Sequence, residues 1–403
     1  MTPASKSPSK LEFTAMMGVL FATIAFSMDA MLPALPQIAA ELSPDDINRA
    51  QLILTSFIFG MGIGIFIAGP ISDALGRKPV IYLGAGFYAL GAILAHYAPS
   101  LELVLAARVL QGIGAAGPRV VTLAMVRDLY QGRAMAQIVS YAMLVFTIFP
   151  AIAPLIGAAI IAGFGWRAIF VAFLVFILLS VSWLGLRQPE TLPPERRQKP
   201  NLAALKSAIS TALGMRQMQL SILVQTCIFG ALFGVISSIQ QVFDLSFGRG
   251  AEFPFWFCAI ALMAAPSGPI NGKMVMRFGM RLMVLGTLFV VLFNSSIALL
   301  AFGLIFEAGQ GFALYIAWTL TIFAAAAFTL GNLNALALEP LGHIAGTASS
   351  VMGAIATIGG AVLGAIVGQF FDGTPLPLIS FALIFAAIAV GLMQMMPKSE
   401  QAG

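Results

Sequence analysis

Apolar runs long enough to cross a bilayer recur along almost the whole chain. A membrane-spanning helix needs roughly 20 apolar residues. Of the 403 residues, 60% are hydrophobic and only 9% are charged, against about 25% charged in a soluble domain. The sequence therefore predicts an all-α membrane protein. Hydropathy and helix breakers predict twelve spans, at 13–35, 50–71, 79–98, 101–125, 135–162, 166–186, 217–243, 254–275, 281–303, 309–337, 345–371 and 375–396.

One long polar stretch, 187–216, separates the sixth span from the seventh. We interpret it as a cytoplasmic linker between an N-terminal six-helix bundle at 1–186 and a C-terminal six-helix bundle at 217–403. Within the linker, residues 202–213 carry apolar side chains at helical spacing. Such a pattern is typical of a helix that lies along the membrane surface.

The two halves contain a short internal repeat. Gly69-Pro70-Ile71 closes the predicted second span, and Gly268-Pro269-Ile270 closes the predicted eighth, 199 residues later. Two pseudo-symmetric six-helix bundles around a central cavity are an architecture of transporters.

The basic residues predict the orientation in the membrane. With a cytoplasmic N-terminus, 16 of the 21 lysines and arginines fall in inside segments and 3 fall in outside loops. Basic residues are enriched in cytoplasmic loops. We therefore expect a multi-pass protein with both termini in the cytoplasm.

The net charge of +5 does not indicate a nucleic-acid partner, because no basic face or basic helix carries it. Cys227 and Cys258 lie in apolar segments, and neither the cysteines nor the two histidines show metal-ligand spacing. We therefore expect no nucleic-acid partner, no metal and no cofactor.

The segment 69–78 gathers small, acidic and basic residues between the second and third spans. Gly69 and Gly76 permit close approach and a tight turn. We expect Arg77 to pair with Asp128 and Asp73 to cap the start of the eleventh span, both only while a cytoplasmic gate is closed. The alternative is a basic loop that serves topology alone.

Asp29 lies about 16 residues into the first span, roughly 24 Å from its inner end. A carboxylate at that depth is costly and is usually functional. We interpret Asp29 as the proton-coupling acid and as a substrate contact, against a solvated residue that caps the turn before Pro33. Asp244 and Glu307 are expected at solvated span ends.

Arg108 and Arg119 share one face of the fourth span, because 11 residues make three helical turns plus about 20°. A face with two arginines and little bulk must line a cavity or contact another helix closely. We expect Arg108 to pair with Asp29, directly or through water, and Arg119 to bind substrate. The alternatives are a structural ion pair for Arg108 and backbone carbonyls at a kink for Arg119.

The fifth span contains Pro150, Pro154 and Gly157, which should bend the helix and permit close packing. Methionine and phenylalanine side chains suit an adaptable apolar pocket. We assign Met143 and Phe146 of this span to substrate binding.

Several motifs carry a family resemblance. Residues 69–78 resemble the signature loop of the major facilitator superfamily, and 28–36, 108–116 and 127–130 resemble first- and fourth-helix motifs of its twelve-span drug/proton antiporters. Within these, the chain looks like the bicyclomycin and chloramphenicol resistance (Bcr/CflA) branch. Residues 153–158 are similar to the antiporter motif of the fifth helix, with Ala153, Ala158 and Phe149 where that motif has glycine.

The resemblance implies a major facilitator fold in the bacterial inner membrane and a monomer without enzymatic activity. It implies antiport of protons against small, largely apolar drugs or metabolites by alternating access. An importer of a nutrient in the same fold stays open as the alternative. A membrane-embedded enzyme would need a nucleophile with a base, or metal ligands, and a channel would need a repeated ring of charge; the sequence displays neither.

Overall fold

The computed structural model describes residues 8–197, 202–307 and 309–397. In that part of the chain, twelve helical segments are long and apolar enough to cross a membrane. The first span is made of two helices, Lys10–Asp29 and Leu35–Leu42, and the eighth of Phe253–Ala264 and Ser267–Phe278. The twelve-helix membrane fold predicted from the sequence is thus confirmed.

The other spans are single helices. The second to sixth are Leu52–Leu75, Arg77–Tyr97, Leu101–Leu129, Gly132–Phe164 and Ala168–Arg187. The seventh is Arg216–Gln241, and the ninth to twelfth are Met280–Leu304, Phe312–Leu338, Ala345–Gln369 and Leu376–Met395. Leu202–Gly214 forms a helix as the sequence predicts, and it contacts the seventh and eleventh spans.

Helix contacts divide the chain into two units. One unit is Met1–Pro200 with Pro254–Ala259, and the other is Asn201–Phe253 with Ile260–Gly403. The first therefore takes in the beginning of the segment that we interpreted as a linker.

Both units pair their spans in the same way. In the first unit the second span packs on the fourth, the third on the fourth, the first on the fifth and the third on the sixth. In the second unit the eighth packs on the tenth, the ninth on the tenth, the seventh on the eleventh and the ninth on the twelfth. Each pair of spans in the second unit carries numbers six higher than the corresponding pair in the first unit. The internal repeat found in the sequence therefore extends to the packing of the helices.

Glycines allow the closest helix crossings of the first unit. A Cβ on Gly60 would overlap the carbonyl of Val109, and one on Gly112 would overlap the carbonyl of Phe57. The second and fourth spans therefore touch backbone to backbone, as small residues permit in membrane helices.

The second span is longer than the sequence predicted. We expected it to end at residue 71, but the helix continues through Pro70 to Leu75 and ends at Gly76, whose φ is 105°. Such a positive φ strains any residue except glycine. The third span begins at once with Arg77, so Asp73 lies in the last helical turn and not in a loop.

Candidate functional site

Arg77 is the centre of a polar cluster where the second, third and fourth spans end or begin. Its side chain is 8% exposed. Nε donates to Oδ2 of Asp128 at 2.8 Å, and Nη1 donates to Oδ1 of Asp73 and to Oγ of Ser72 at 2.9 Å. The Arg77–Asp128 pair predicted from the sequence is present. Asp73 bonds Arg77 here, and its role as a cap of the eleventh span stays a prediction.

Glu190, which the sequence analysis missed, completes this cluster from the segment after the sixth span. Its Oε1 accepts from the backbone N–H of Arg77, and its Oε2 from that of Lys78, each at 2.9 Å. Thr191 donates from Oγ1 to Oδ2 of Asp128 at 2.9 Å. The first N–H groups of a helix have no intrahelical partner, so Glu190 caps the third span.

Lys78 makes a second link between the third span and the end of the sixth span, with its side chain as the donor. Its Nζ donates to the carbonyl oxygens of Gln188 at 2.6 Å and Gly185 at 3.1 Å, where the sixth span ends. A cation at a helix C-terminus satisfies free carbonyls and complements the helix dipole. The beginning of the segment that we interpreted as a linker is therefore held against the start of the third span by Gln188 and Glu190.

Asp29 is the last residue of the helix Lys10–Asp29 and is 5% exposed. It is the only buried acidic residue among those that the structure describes. The alternative of a solvated residue at the mouth of the span is therefore wrong. Asp244 and Glu307, by contrast, are exposed, as expected.

Arg108 is 0% exposed and forms no direct ion pair with Asp29 in the described part of the chain. Its three nitrogens donate elsewhere: Nη2 to the carbonyl of Ser27 at 2.9 Å, Nη1 to Oε1 of Gln111 at 2.6 Å and Nε to the carbonyl of Ile53 at 3.2 Å. The expectation of a direct Asp29–Arg108 ion pair is thus wrong, because neutral acceptors on three spans already bind the guanidinium.

Two further contacts position this guanidinium. Its carbon lies 4.3 Å from the ring centroid of Phe57, a cation–π contact. Ser27 is itself held from the third span, since its Oγ hydrogen-bonds with the hydroxyl of Tyr88 and donates to the carbonyl of Thr23. Arg108, Ser27 and Tyr88 form one buried network.

Arg119 is partly buried, and its Nη1 donates to Sδ of Met61 at 3.5 Å. It takes part in none of the ion pairs formed among the described residues. Like Arg108, Arg119 contacts the second span. The face that the two arginines share therefore packs on another helix, which is one of the two arrangements expected from the sequence, the other being a cavity lining.

The fifth span is one helix that contains both Pro150 and Pro154. A Cβ on Gly157 would overlap the carbonyl oxygen of Ala30 in the first span, so the predicted close packing is present. Met143 is exposed and Phe146 is partly buried on this helix. Their contact with substrate stays a prediction.

A model of the Major Facilitator Superfamily matches residues 16–364 of the chain. The chain is 31% identical over 248 residues to an uncharacterized MFS-type transporter, YdgK, of Bacillus subtilis, covering 61% of each chain. It is 29% identical over 283 residues to a bicyclomycin resistance protein homolog of Haemophilus influenzae, covering 70% of each.

A chloramphenicol resistance protein of Pseudomonas aeruginosa is 37% identical over 170 residues, which cover 41% of this chain and 40% of that one. Among solved structures, the xylose transporter XylE of E. coli superposes with a TM-score of 0.74 at 12% identity, covering 98% of this chain and 99% of XylE. The human organic anion transporter MFSD10 gives 0.70 at 17% identity, covering 96% and 100%. At such identities the structures show a shared fold.

Proposed function

The chain belongs to the major facilitator superfamily, and we propose that it is a proton-coupled exporter of small, largely apolar molecules that works by alternating access. In this proposal it is a monomer of the bacterial inner membrane with both termini in the cytoplasm. Its partners are then a small-molecule substrate, protons and the lipid bilayer. The N-terminal bundle at 1–186, the linker at 187–216 and the C-terminal bundle at 217–403 are the parts that move.

The observation that carries the proposal is the burial of Asp29, which is unique among the described acids. A coupling group must be shielded from both sides and reach one side at a time. Carboxylates on exposed span ends, such as Asp244, see solvent without any conformational change. Asp29 also lies at the end of a helix, four residues before Pro33, where the missing proline N–H loosens the backbone.

Arg108 would act on Asp29 through the backbone. Its Nη2 holds the carbonyl of Ser27, two residues before Asp29. In the proposed cycle, protonation of Asp29 and release of substrate alternate, and the end of the first-span helix shifts between the two states. Arg108 follows that shift because its acceptor moves with it.

Arg119, Met143 and Phe146 are the proposed substrate contacts. A partly buried guanidinium without a carboxylate partner favours substrates with an acceptor-rich or negative group. The fifth span would supply the apolar part of the pocket. Its Pro150, Pro154 and Gly157 shape the helix that packs on the first span.

Export is the proposed direction because two relatives carry the names of resistance proteins, for bicyclomycin and chloramphenicol. Import of a nutrient or metabolite in the same fold is the second candidate, and the direction of net transport distinguishes the two. The gate of the proposed cycle is the cluster of Gly69, Asp73, Gly76, Arg77 and Asp128.

Transport in everted membrane vesicles tests both coupling and direction. A panel of compounds is offered under an imposed pH gradient, and proton release from the vesicle lumen is followed as each substrate enters. Asp29→Asn, which keeps the size of the side chain, should still bind substrate but lose uphill transport. Asp45→Asn, a change at an exposed acid of the adjoining loop, serves as the matched control and should transport normally. Uphill transport by Asp29→Asn with unchanged pH dependence would refute the assignment.

A further inference from the structure

A groove of about 530 Å³ opens on the side of the first unit. Six residues of the sixth span line it at helical spacing, namely Ala168, Val171, Ala172, Val175, Phe176 and Leu179. Ile160 and Phe164 of the fifth span form the facing wall. Both helices are strongly apolar, so the groove faces the part of the membrane that lipid tails occupy.

The depth of the groove matches one leaflet. From residue 168 to residue 179 the sixth span rises about 16 Å at 1.5 Å per residue. The hydrocarbon core of a bilayer is about 30 Å thick, and half of it is about 15 Å. The groove thus accommodates a molecule whose apolar part extends from the interface to the bilayer midplane.

The interfacial end of the groove is polar. It is lined by Arg167 and His96, whose Nδ1 lies 3.0 Å from the carbonyl oxygen of Arg167. The Arg167 guanidinium donates to Glu41 at 2.6 Å and lies 4.2 Å from the ring centroid of Trp166. Arginine has five N–H donors, so the fork retains donors for a phosphate while Glu41 balances its charge.

The floor of the groove is aromatic and separates it from the polar interior. Phe26 lies 5.0 Å from Phe176 and 5.4 Å from Phe173, measured between ring centroids. Phe173 in turn lies between this floor and Arg108, 5.8 Å from its guanidinium carbon. An occupant of the groove therefore contacts hydrocarbon along its length and meets polar groups only at the Arg167 end.

We propose that this groove is a phospholipid site. One acyl chain lies along the sixth span between Val171 and Leu179, and the phosphate of the headgroup accepts hydrogen bonds from Arg167 and His96. The lipid belongs to the leaflet on the side opposite the Gly69–Lys78 segment. This site is separate from the proposed transport site and does not depend on the direction or coupling of transport.

Native mass spectrometry of the full-length, delipidated protein tests the site. Phosphatidylglycerol, phosphatidylethanolamine and diacylglycerol, which lacks the phosphate, are each titrated. Val171→Trp places an indole in the groove, whereas Val290→Trp, on the exposed face of the ninth span, is the matched control. The two valines are similarly exposed, at 44% and 52%. We expect Val171→Trp to raise the dissociation constant of the first phospholipid about tenfold, and Val290→Trp to leave it unchanged.

A photoactivatable phospholipid with a diazirine in its tail gives a second measurement on the unmodified protein, independent of whether either variant folds. Cross-links should concentrate on residues 160–179 and be rare on the exposed face of the ninth span, around Phe293. Equal cross-linking of both faces, or equal affinity of the two tryptophan variants, would overturn the site. Binding of diacylglycerol as tight as that of phospholipid would remove the role of Arg167, and displacement of the lipid by a transported drug would assign the groove to substrate instead.

Discussion

Replacing Glu190 by alanine tests whether the segment after the sixth span holds the polar cluster around Arg77 together. In the structure its carboxylate accepts the backbone N–H groups of Arg77 and Lys78, each at 2.9 Å. It also accepts those of Thr191 and Leu192, at 2.9 and 3.0 Å. Alanine removes all four acceptor contacts at once.

The magnitude follows from the cap on the third span. Loss of a helix N-cap costs about 1 kcal/mol, with a range of roughly 0.5–2, and hydrogen bonds to charged groups contribute about 1.5–3 kcal/mol. At a partly exposed site, water replaces part of the lost hydrogen bonding. We therefore expect Glu190→Ala to lower the free energy of local opening of the first turn of the third span by about 2 kcal/mol. Since 1.4 kcal/mol is a factor of ten, the open population should rise about 30-fold.

Hydrogen–deuterium exchange measures that population directly, because the amides of Arg77 and Lys78 are the groups released. Exchange in the peptide that contains them should accelerate about 30-fold in Glu190→Ala. Glu195→Ala changes an exposed acid in the same segment and should leave exchange at the third span unaltered. Equal protection in the two variants would show that Glu190 does not cap this helix.

Three further variants test other contacts. Arg77 contacts both oxygens of Asp128, through Nε at 2.8 Å and Nη2 at 3.3 Å; Arg77→Lys keeps the charge but not the planar fork, so it should lose this two-point contact and lower both turnover and melting temperature, and normal turnover would contradict the proposed gate. Arg119→Ala should weaken binding of anionic or acceptor-rich substrates about tenfold with unchanged stability, whereas a uniform loss with lower stability would indicate a structural role. Gly157→Leu should destabilise the first unit by about 1–3 kcal/mol or more, seen as a lower melting temperature, because its side chain meets the carbonyl of Ala30; Gly163→Leu on the same helix, where no atom lies within 4 Å of an added Cβ, should not.

The membrane fold was predictable because the bilayer imposes a simple rule on sequence. Each span must satisfy its backbone hydrogen bonds internally and present apolar side chains over a fixed length. The ends of the spans were less predictable. Pro70 and Gly69 suggested the end of the second helix, yet the helix continues to Leu75, since Gly76 supplies the positive φ that ends it.

The charged pair at the centre of the polar cluster around Arg77 was predictable from the sequence, but the other members of the cluster were not. Arg77 and Asp128 lie at the ends of adjacent spans in a twelve-span topology, so their pairing follows from the order of the helices. Glu190 is separated from Arg77 by 113 residues, and no periodicity joins them. The signal available was an acid directly after the sixth span, together with the unsatisfied N–H groups at the start of the third.

The arrangement of Arg108 shows why depth alone does not predict a partner. The expectation of an Asp29–Arg108 pair rested on similar depth in the membrane, which fixes one coordinate and leaves the rotation of each helix open. The helix Lys10–Asp29 ends at Asp29, so the carbonyl of Ser27 belongs to its last turn, where carbonyls lack intrahelical partners. Arg108 donates to that carbonyl at 2.9 Å.

A cation at this position compensates the partial negative charge at the C-terminal end of the helix dipole. The Asp29 carboxyl group lies at the same end of the helix. Arg108 therefore stabilises the end of the first-span helix whether Asp29 is charged or protonated. The two residues are joined by a helix end and not by an ion pair. A change of charge at Asp29 alters the free energy of the helix end that Arg108 caps, and such a connection can transmit protonation without an ion pair that has to break.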